Sequence, residues 1–238
     1  MSKWAAQHIA DAINNHKEDR PYVLGLPTGS SPLGVYKNLV EMNKKGEVTF
    51  KNVVTFNMDE YVGLPKEHDQ SYWYFMHENF FNHIDIPREN INILNGMTDD
   101  PEGECKRYEE KIQSYGGIDL FLGGSGVDGH IAFNDPHVAD FNDPLKIKKV
   151  DLDQKCRQQQ VNDGCFQTID QVPTHALTLT IPTLYNVENV FCVVPAPSKA
   201  EAVKNTVTGP VSEVCPASIL RKHANATLYV DADSSALL

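Results

Sequence analysis

Apolar residues gather in short runs at 22–26 (Tyr-Val-Leu-Gly-Leu), 53–56, 118–122, 190–194 and 227–230, each bounded by polar or turn-forming residues. Brief runs of this kind suit strands that are covered on both faces. The stretches between them are long enough for helices, and the alternation predicts a mostly parallel sheet. Local signals place some of those helices. One is predicted over 35–45 after Ser31-Pro32, one over 102–114 after Pro101 and stopped by Gly116-Gly117, and one over 198–207 between Pro197 and Gly209. Residues 136–176 break the pattern with prolines, charges and the run Gln158-Gln159-Gln160, and read as a lid or insertion. The charges at 146–149 read as a solvated face.

Composition narrows the functional classes. A chain of 238 residues that is 41% hydrophobic can bury the core of a single domain over 1–238. Its net charge of -11 and pI near 5.2 argue against nucleic acid or an anionic membrane as partner, so an anionic substrate needs a local binding site. The apolar runs fall far short of the roughly 20 residues that span a bilayer, so no membrane segment is expected. The opening Met1-Ser2-Lys3-Trp4-Ala5-Ala6 lacks the apolar core and cleavage site of a signal peptide, and a cytoplasmic location is expected. Cys105, Cys156, Cys165, Cys192 and Cys215 form no C-x-x-C pair and are expected as reduced thiols, Cys192 as a core residue. His68, His77 and His83 lack the spacing of a metalloprotease helix and read as helix surface or core, so no metal is expected.

Three segments begin where an apolar run ends, and loops at the carboxyl ends of parallel strands converge on one crevice. In Leu26-Pro27-Thr28-Gly29-Ser30-Ser31, Gly29 permits close backbone approach, and Ser30 and Ser31 offer hydroxyls and N–H groups at a helix entry. That is a phosphate cradle, although the same residues make an ordinary turn and cap. Lys199 could add a point charge; a solvent-exposed lysine is the plainer reading. In Asn57-Met58-Asp59-Glu60-Tyr61, a carboxylate held in the crevice and desolvated becomes a better proton acceptor, while the plainer role is a helix cap or exposed acidic pair. In Gly123-Gly124-Ser125-Gly126-Val127-Asp128-Gly129-His130, a carboxylate near an imidazole makes an acid/base suited to neutral pH. Asp135 could act on the other side of the ring or pair with it. The glycines do not fit G-x-G-x-x-G, since His130 occupies the third position, so a dinucleotide loop is rejected.

These motifs resemble the glucosamine-6-phosphate deaminase/isomerase family. The resemblance is borne by Leu24-Gly25-Leu26-Pro27-Thr28-Gly29, by 56–65 (Phe-Asn-Met-Asp-Glu-Tyr-Val-Gly-Leu-Pro) and by Asp128-Gly129-His130-Ile131-Ala132-Phe133-Asn134. It runs from Trp4 to Pro136 and resumes around 172–178. It implies a modified Rossmann-like three-layer α/β/α sandwich, no cofactor, and conversion of glucosamine 6-phosphate to fructose 6-phosphate and ammonia. It further implies that His130, oriented by Asp128, assists ring opening, that Asp59 moves a proton between C2 and C1, and that the protein is a homo-oligomer.

The chain departs from the family in places. Asp135 stands where the family has glutamate, an arm shorter by about 1.5 Å. The usual Ser-Arg-Thr-Arg segment is replaced by Asp140-Phe141-Asn142-Asp143-Pro144, leaving Arg157 as the nearest substitute for the lid arginine. The family's first strand has no counterpart, and activation by N-acetylglucosamine 6-phosphate is not expected. A 6-phosphogluconolactonase-like hydrolase and a sugar-phosphate sensor are the competing readings.

Overall fold

The computed structural model describes residues 1–162 and 164–238, apart from the side chains at 155 and 159. In chain order the main elements are α1 (Ser2–Asn15), β1 (Tyr22–Leu26), α2 (Leu33–Lys44), β2 (Val53–Asn57), β3 (Asp59–Tyr61), α3 (Tyr72–Asn79), β4 (Ile91–Asn92) and α4 (Pro101–Ser114). They continue with β5 (Leu120–Gly123), β6 (Ile147–Asp151), α5 (Gln154–Asn162), β7 (His175–Leu179), α6 (Ile181–Tyr185), β8 (Asn189–Val194), α7 (Ala200–Thr208) and β9 (Ala226–Val230). The central sheet has the order β4-β2-β1-β5-β8-β9, and its pairings are parallel. This is the α/β sheet that the sequence pattern predicts.

Both faces of that sheet are covered. Strand side chains alternate, so Leu24 and Leu26 of β1 join Ala5, Ile9, Tyr36 and Leu39 of α1 and α2 on one side. Val23, the residue before Leu24, packs on the other side with Tyr108 and Ile112 of α4 and Val203 of α7. Burial of both sets in one five-residue strand explains why it shows no polar alternation.

The described residues of segment 136–176 form more regular structure than its composition suggests. It holds β6, α5, a 3-10 turn at Ile169–Gln171 and the start of β7. β3, β7 and β6 form a second, antiparallel sheet. The cluster at 146–149 is therefore not simply a solvated face. Lys148 sits in β6 with its side chain 16% exposed, pairs with Asp143 at 2.7 Å and donates to the Val138 carbonyl.

The chain passes between the two sheets at Met58. Its N–H donates to the Leu26 carbonyl at the end of β1, and its carbonyl accepts from Leu179 at the end of β7. Asp59 begins β3 one residue later, at the seam. Among the described residues no helix is long and apolar enough to cross a membrane.

Candidate active site

The loop after β1 turns at Gly29, whose φ of +91° is in the region that favours glycine, and α2 then starts at Leu33. Helix α2 has no side-chain cap, and the N–H groups of Gly29, Ser30 and Ser31 meet no backbone acceptor among the described residues. Ser30 is exposed, and Thr28 and Ser31 are half-buried. Unpaired donors at a helix entry form an anion cradle. A side chain placed on Gly124 would meet Ser31 and the Val193 carbonyl, so the loops after β1 and β5 pack together beside the end of β8. Lys199 follows β8 at that end, and its charge reaches the Cys192 thiol.

Asp59 is 5% exposed, and among the described residues no hydrogen bond reaches its carboxylate. Burial first, then the charge of Glu60, push its pKa well above the usual carboxylate range, and His130 pulls the other way. Its charge also reaches the phenols of Tyr36, Tyr61, Tyr72 and Tyr108. A carboxyl in such a place changes protonation when a cation arrives.

The glycine-rich loop after β5 brings Asp128, His130 and Asp135 together. His130 Nδ1 lies 2.8 Å from Asp128 Oδ1 and 3.2 Å from Asp135 Oδ1. Both carboxylates therefore meet the same ring nitrogen. Asp135 pairs with the ring but does not take its other side, and its shorter arm still reaches. Nε2 is left without a protein partner among the described residues. Burial lowers the His130 pKa, but hydrogen bonds and charge from Asp128 and Asp135 outweigh it and raise it to about 9. Burial acts upward on Asp128 too, yet its bonds to His130 hold it down at about 2. The ring lies over Gly126, where a Cβ would overlap it. The three side chains place one potential ligand atom each within 4.8 Å of one another, close enough to hold a metal ion, although their hydrogen bonds already account for the grouping.

β7 sets the position of this loop relative to Asp59. Thr178 is the register partner of Asp59, and its hydroxyl accepts from the Phe133 N–H at 3.1 Å. The Asn134 amide donates to the Leu179 and Ile131 carbonyls, each at 2.9 Å. Asp59 and His130 are thus placed by adjacent bonds on one strand, and His130's charge is felt at Asp59.

Arg157 is engaged elsewhere. Its guanidinium donates to the carbonyls of Ile169 (2.6 Å) and Val172 (2.9 and 3.2 Å), which braces α5 against the 3-10 turn. Tyr72 escaped the sequence reading, and of the Asp59-Glu60 pair named there it is Glu60 that takes the plainer role of serving a helix start. The Tyr72 phenol interacts with Thr28 and packs at 4.9 Å on the Tyr61 ring, so it lies between the β1 loop and β3. Glu60 accepts from the N–H groups of Tyr61, Tyr72 and Trp73 at 2.9, 3.0 and 2.9 Å, and so serves the start of α3. The sequence signal for α3 was Ser71, a capping residue before an aromatic run, whose hydroxyl accepts from Tyr74 N.

A family profile described as glucosamine-6-phosphate isomerases/6-phosphogluconolactonase matches residues 1–229. The chain belongs to that family. A solved structure described as a monomeric glucosamine-6-phosphate deaminase, a missing link of the NagB superfamily, shares 37% identity and superposes with a TM-score of 0.92, covering 100% of this chain and 95% of that one. Its description as monomeric does not support the homo-oligomer that the resemblance implied. The 6-phosphogluconolactonase of Thermotoga maritima shares 21% identity with a TM-score of 0.76 over 96% of this chain and 94% of its own. That of Trypanosoma cruzi shares 17% identity with a TM-score of 0.76 over 100% and 92%. These two share the fold. The family is enzymatic and acts on sugar phosphates; its members divide between deaminase and lactonase activity.

Proposed function

We propose that this protein isomerises and deaminates glucosamine 6-phosphate, giving fructose 6-phosphate and ammonia. The observation that carries this reading is Asp59, a buried carboxyl with raised proton affinity and no hydrogen-bond partner among the described residues. An amino sugar brings an ammonium group. That cation favours the ionised form of Asp59 and turns it into a base when substrate binds. 6-Phosphogluconolactone brings no cation to that position, and its hydrolysis needs no base that reaches two adjacent carbons.

The remaining groups take complementary roles. The phosphate sits on the N–H groups and hydroxyls of Thr28, Gly29, Ser30 and Ser31, with Lys199 adding charge. His130, protonated below about pH 9 and held through Nδ1 by Asp128 and Asp135, presents Nε2 to the ring oxygen and donates the proton that accompanies ring opening. Asp59 removes the C2 proton to give an enolamine and returns a proton at C1. The resulting C2 imine adds water and expels ammonia. Residues 136–176 are assigned as the cover over the sugar. The aromatic contact of Tyr61 with Phe133 at 5.4 Å and with Phe166 at 6.1 Å supports this, since it joins that segment to the loop and to β3.

The test is to offer glucosamine 6-phosphate and 6-phosphogluconolactone separately. Ammonia and fructose 6-phosphate from the first, with little hydrolysis of the second, is the expected result. Lactone hydrolysis without ammonia would transfer the chain to the hydrolase branch, and binding without either product would make it a sensor.

A further inference from the structure

Alternation along β3 sends Asp59 and Tyr61 to one face of the strand and Glu60 to the other. Glu60 is 3% exposed yet makes no ion pair among the described residues. Its partners are backbone N–H groups: Tyr61 on its own strand, and Tyr72 and Trp73 in the first turn of α3. Those last two are among the donors that a helix start leaves unpaired, and a carboxylate there also answers the helix dipole. Glu60 is thereby bonded to β3 and α3 at once. The residue it holds on α3 is Tyr72, whose ring packs on Tyr61 of β3 at 4.9 Å and whose phenol interacts with Thr28 of the proposed phosphate cradle, and the residue beside Glu60 on β3 is Asp59.

We infer that Glu60 is a positioning residue for this site: its single carboxylate ties β3 to the start of α3, fixes Tyr72 relative to Asp59, and carries a like charge on the residue next to Asp59. Asp59 is otherwise faced by neutral phenols, namely Tyr36 from α2, Tyr61 from β3, Tyr72 from α3 and Tyr108 from α4, and by the cation of His130. Glu60 is the like charge in this set. Glu60 also forms part of the wall of a cleft of about 470 Å³ with Lys66, Glu67 and Trp73. Burial pushes its pKa up to about 7, against the lowering effect of the three N–H bonds, so the tie is fully charged only above neutrality.

The inference rests on the assignment of Asp59 as base, and its test therefore has one arm that needs no turnover. In the first arm, the amide proton shifts of Tyr72 and Trp73 are followed by NMR from pH 5 to 9. Both are expected to titrate together near pH 7 in the wild type and to lose that common step in Glu60→Gln. His77 stacks on Trp73 at 3.7 Å and is the other titratable group there; the variant retains it, which separates the two. In the second arm, Glu60→Gln is expected to move the acid limb of kcat/KM down by about one pH unit, because removing a like charge favours ionised Asp59. Glu60→Ala is expected to raise KM several-fold through Tyr72 and Thr28. Ser71→Ala, which removes a cap of the same helix without a charge, is the control and leaves the limb in place. Amides that do not titrate, or a Glu60→Gln profile that overlays the wild type, would overturn the inference. A wild type without deaminase activity would instead remove the Asp59 assignment, leaving the amide arm to decide the tie.

Discussion

Asp59 and Thr178 face each other across the β3–β7 ladder, and the Thr178 hydroxyl accepts from the N–H of Phe133, three residues beyond His130. One buried side chain thus joins the strand of Asp59 to the loop of His130, the two groups proposed above for proton transfer and ring opening. Thr178→Val keeps the shape and removes the acceptor, leaving the Phe133 N–H unpaired. We expect a stability loss of about 1–3 kcal/mol in urea unfolding. Small displacements of reacting groups are costly, so kcat should also fall about ten- to hundredfold with less change in KM. Unchanged kcat in a destabilised variant would show that the loop holds its place without this bond.

His130 gives a pH signature. Its pKa of about 9 keeps it a cation at neutrality, and proton donation to the ring oxygen needs that cation. The rate should therefore fall as pH rises through about 9. Asp128→Asn removes a hydrogen bond and a charge that raise the value, so the alkaline limb should move toward 6.5, the ordinary histidine value. The same linkage acts on stability: the contribution of the charged ring is fully present below 6.5 and is lost as pH rises through about 9. Profiles of kcat/KM for the two proteins check the sign, and a limb that does not move would detach Asp128 from the titration.

Much of this was legible in the sequence because the central sheet is built from continuous apolar runs. The run at 22–26 is β1 to the residue, and those at 53–56, 190–194 and 227–230 fall within one residue of β2, β8 and β9. The run at 118–122 is displaced: β5 is Leu120–Gly123, and the Asp119 N–H goes to the Val23 carbonyl before the strand begins. The second sheet was not legible. β3 is an Asp-Glu-Tyr strand, and β6 reads Ile-Lys-Lys-Val-Asp; their partner β7 lies more than a hundred residues from β3, so no local pattern announces the pairing. α1, though amphipathic, carries no side-chain cap at its start and was not anticipated. The convergence of the loops at Thr28, Asp59 and His130 followed from strand ends alone. The partners of Glu60 and Tyr72 did not, because bonds to backbone N–H groups and ring contacts between distant residues leave no mark in residue spacing.

Gly126 offers a steric test. Its missing Cβ leaves room for the His130 imidazole, and the Gly126 N–H donates to the His130 carbonyl at 2.9 Å. Gly126→Ala must push the ring away from Asp128 and Asp135 or move the backbone. We expect turnover to drop about a hundredfold, with a stability loss of about 1–3 kcal/mol. A fully active alanine variant would mean that the imidazole does not need this position.

The most direct measurement is the release of ammonia and fructose 6-phosphate from glucosamine 6-phosphate by the wild type and by Asp59→Asn. Asparagine keeps the shape of the side chain and cannot take the C2 proton. Product is expected from the wild type and at least about a hundredfold less from the variant, with substrate still bound. Turnover that survives in Asp59→Asn would contradict the proposed role of Asp59.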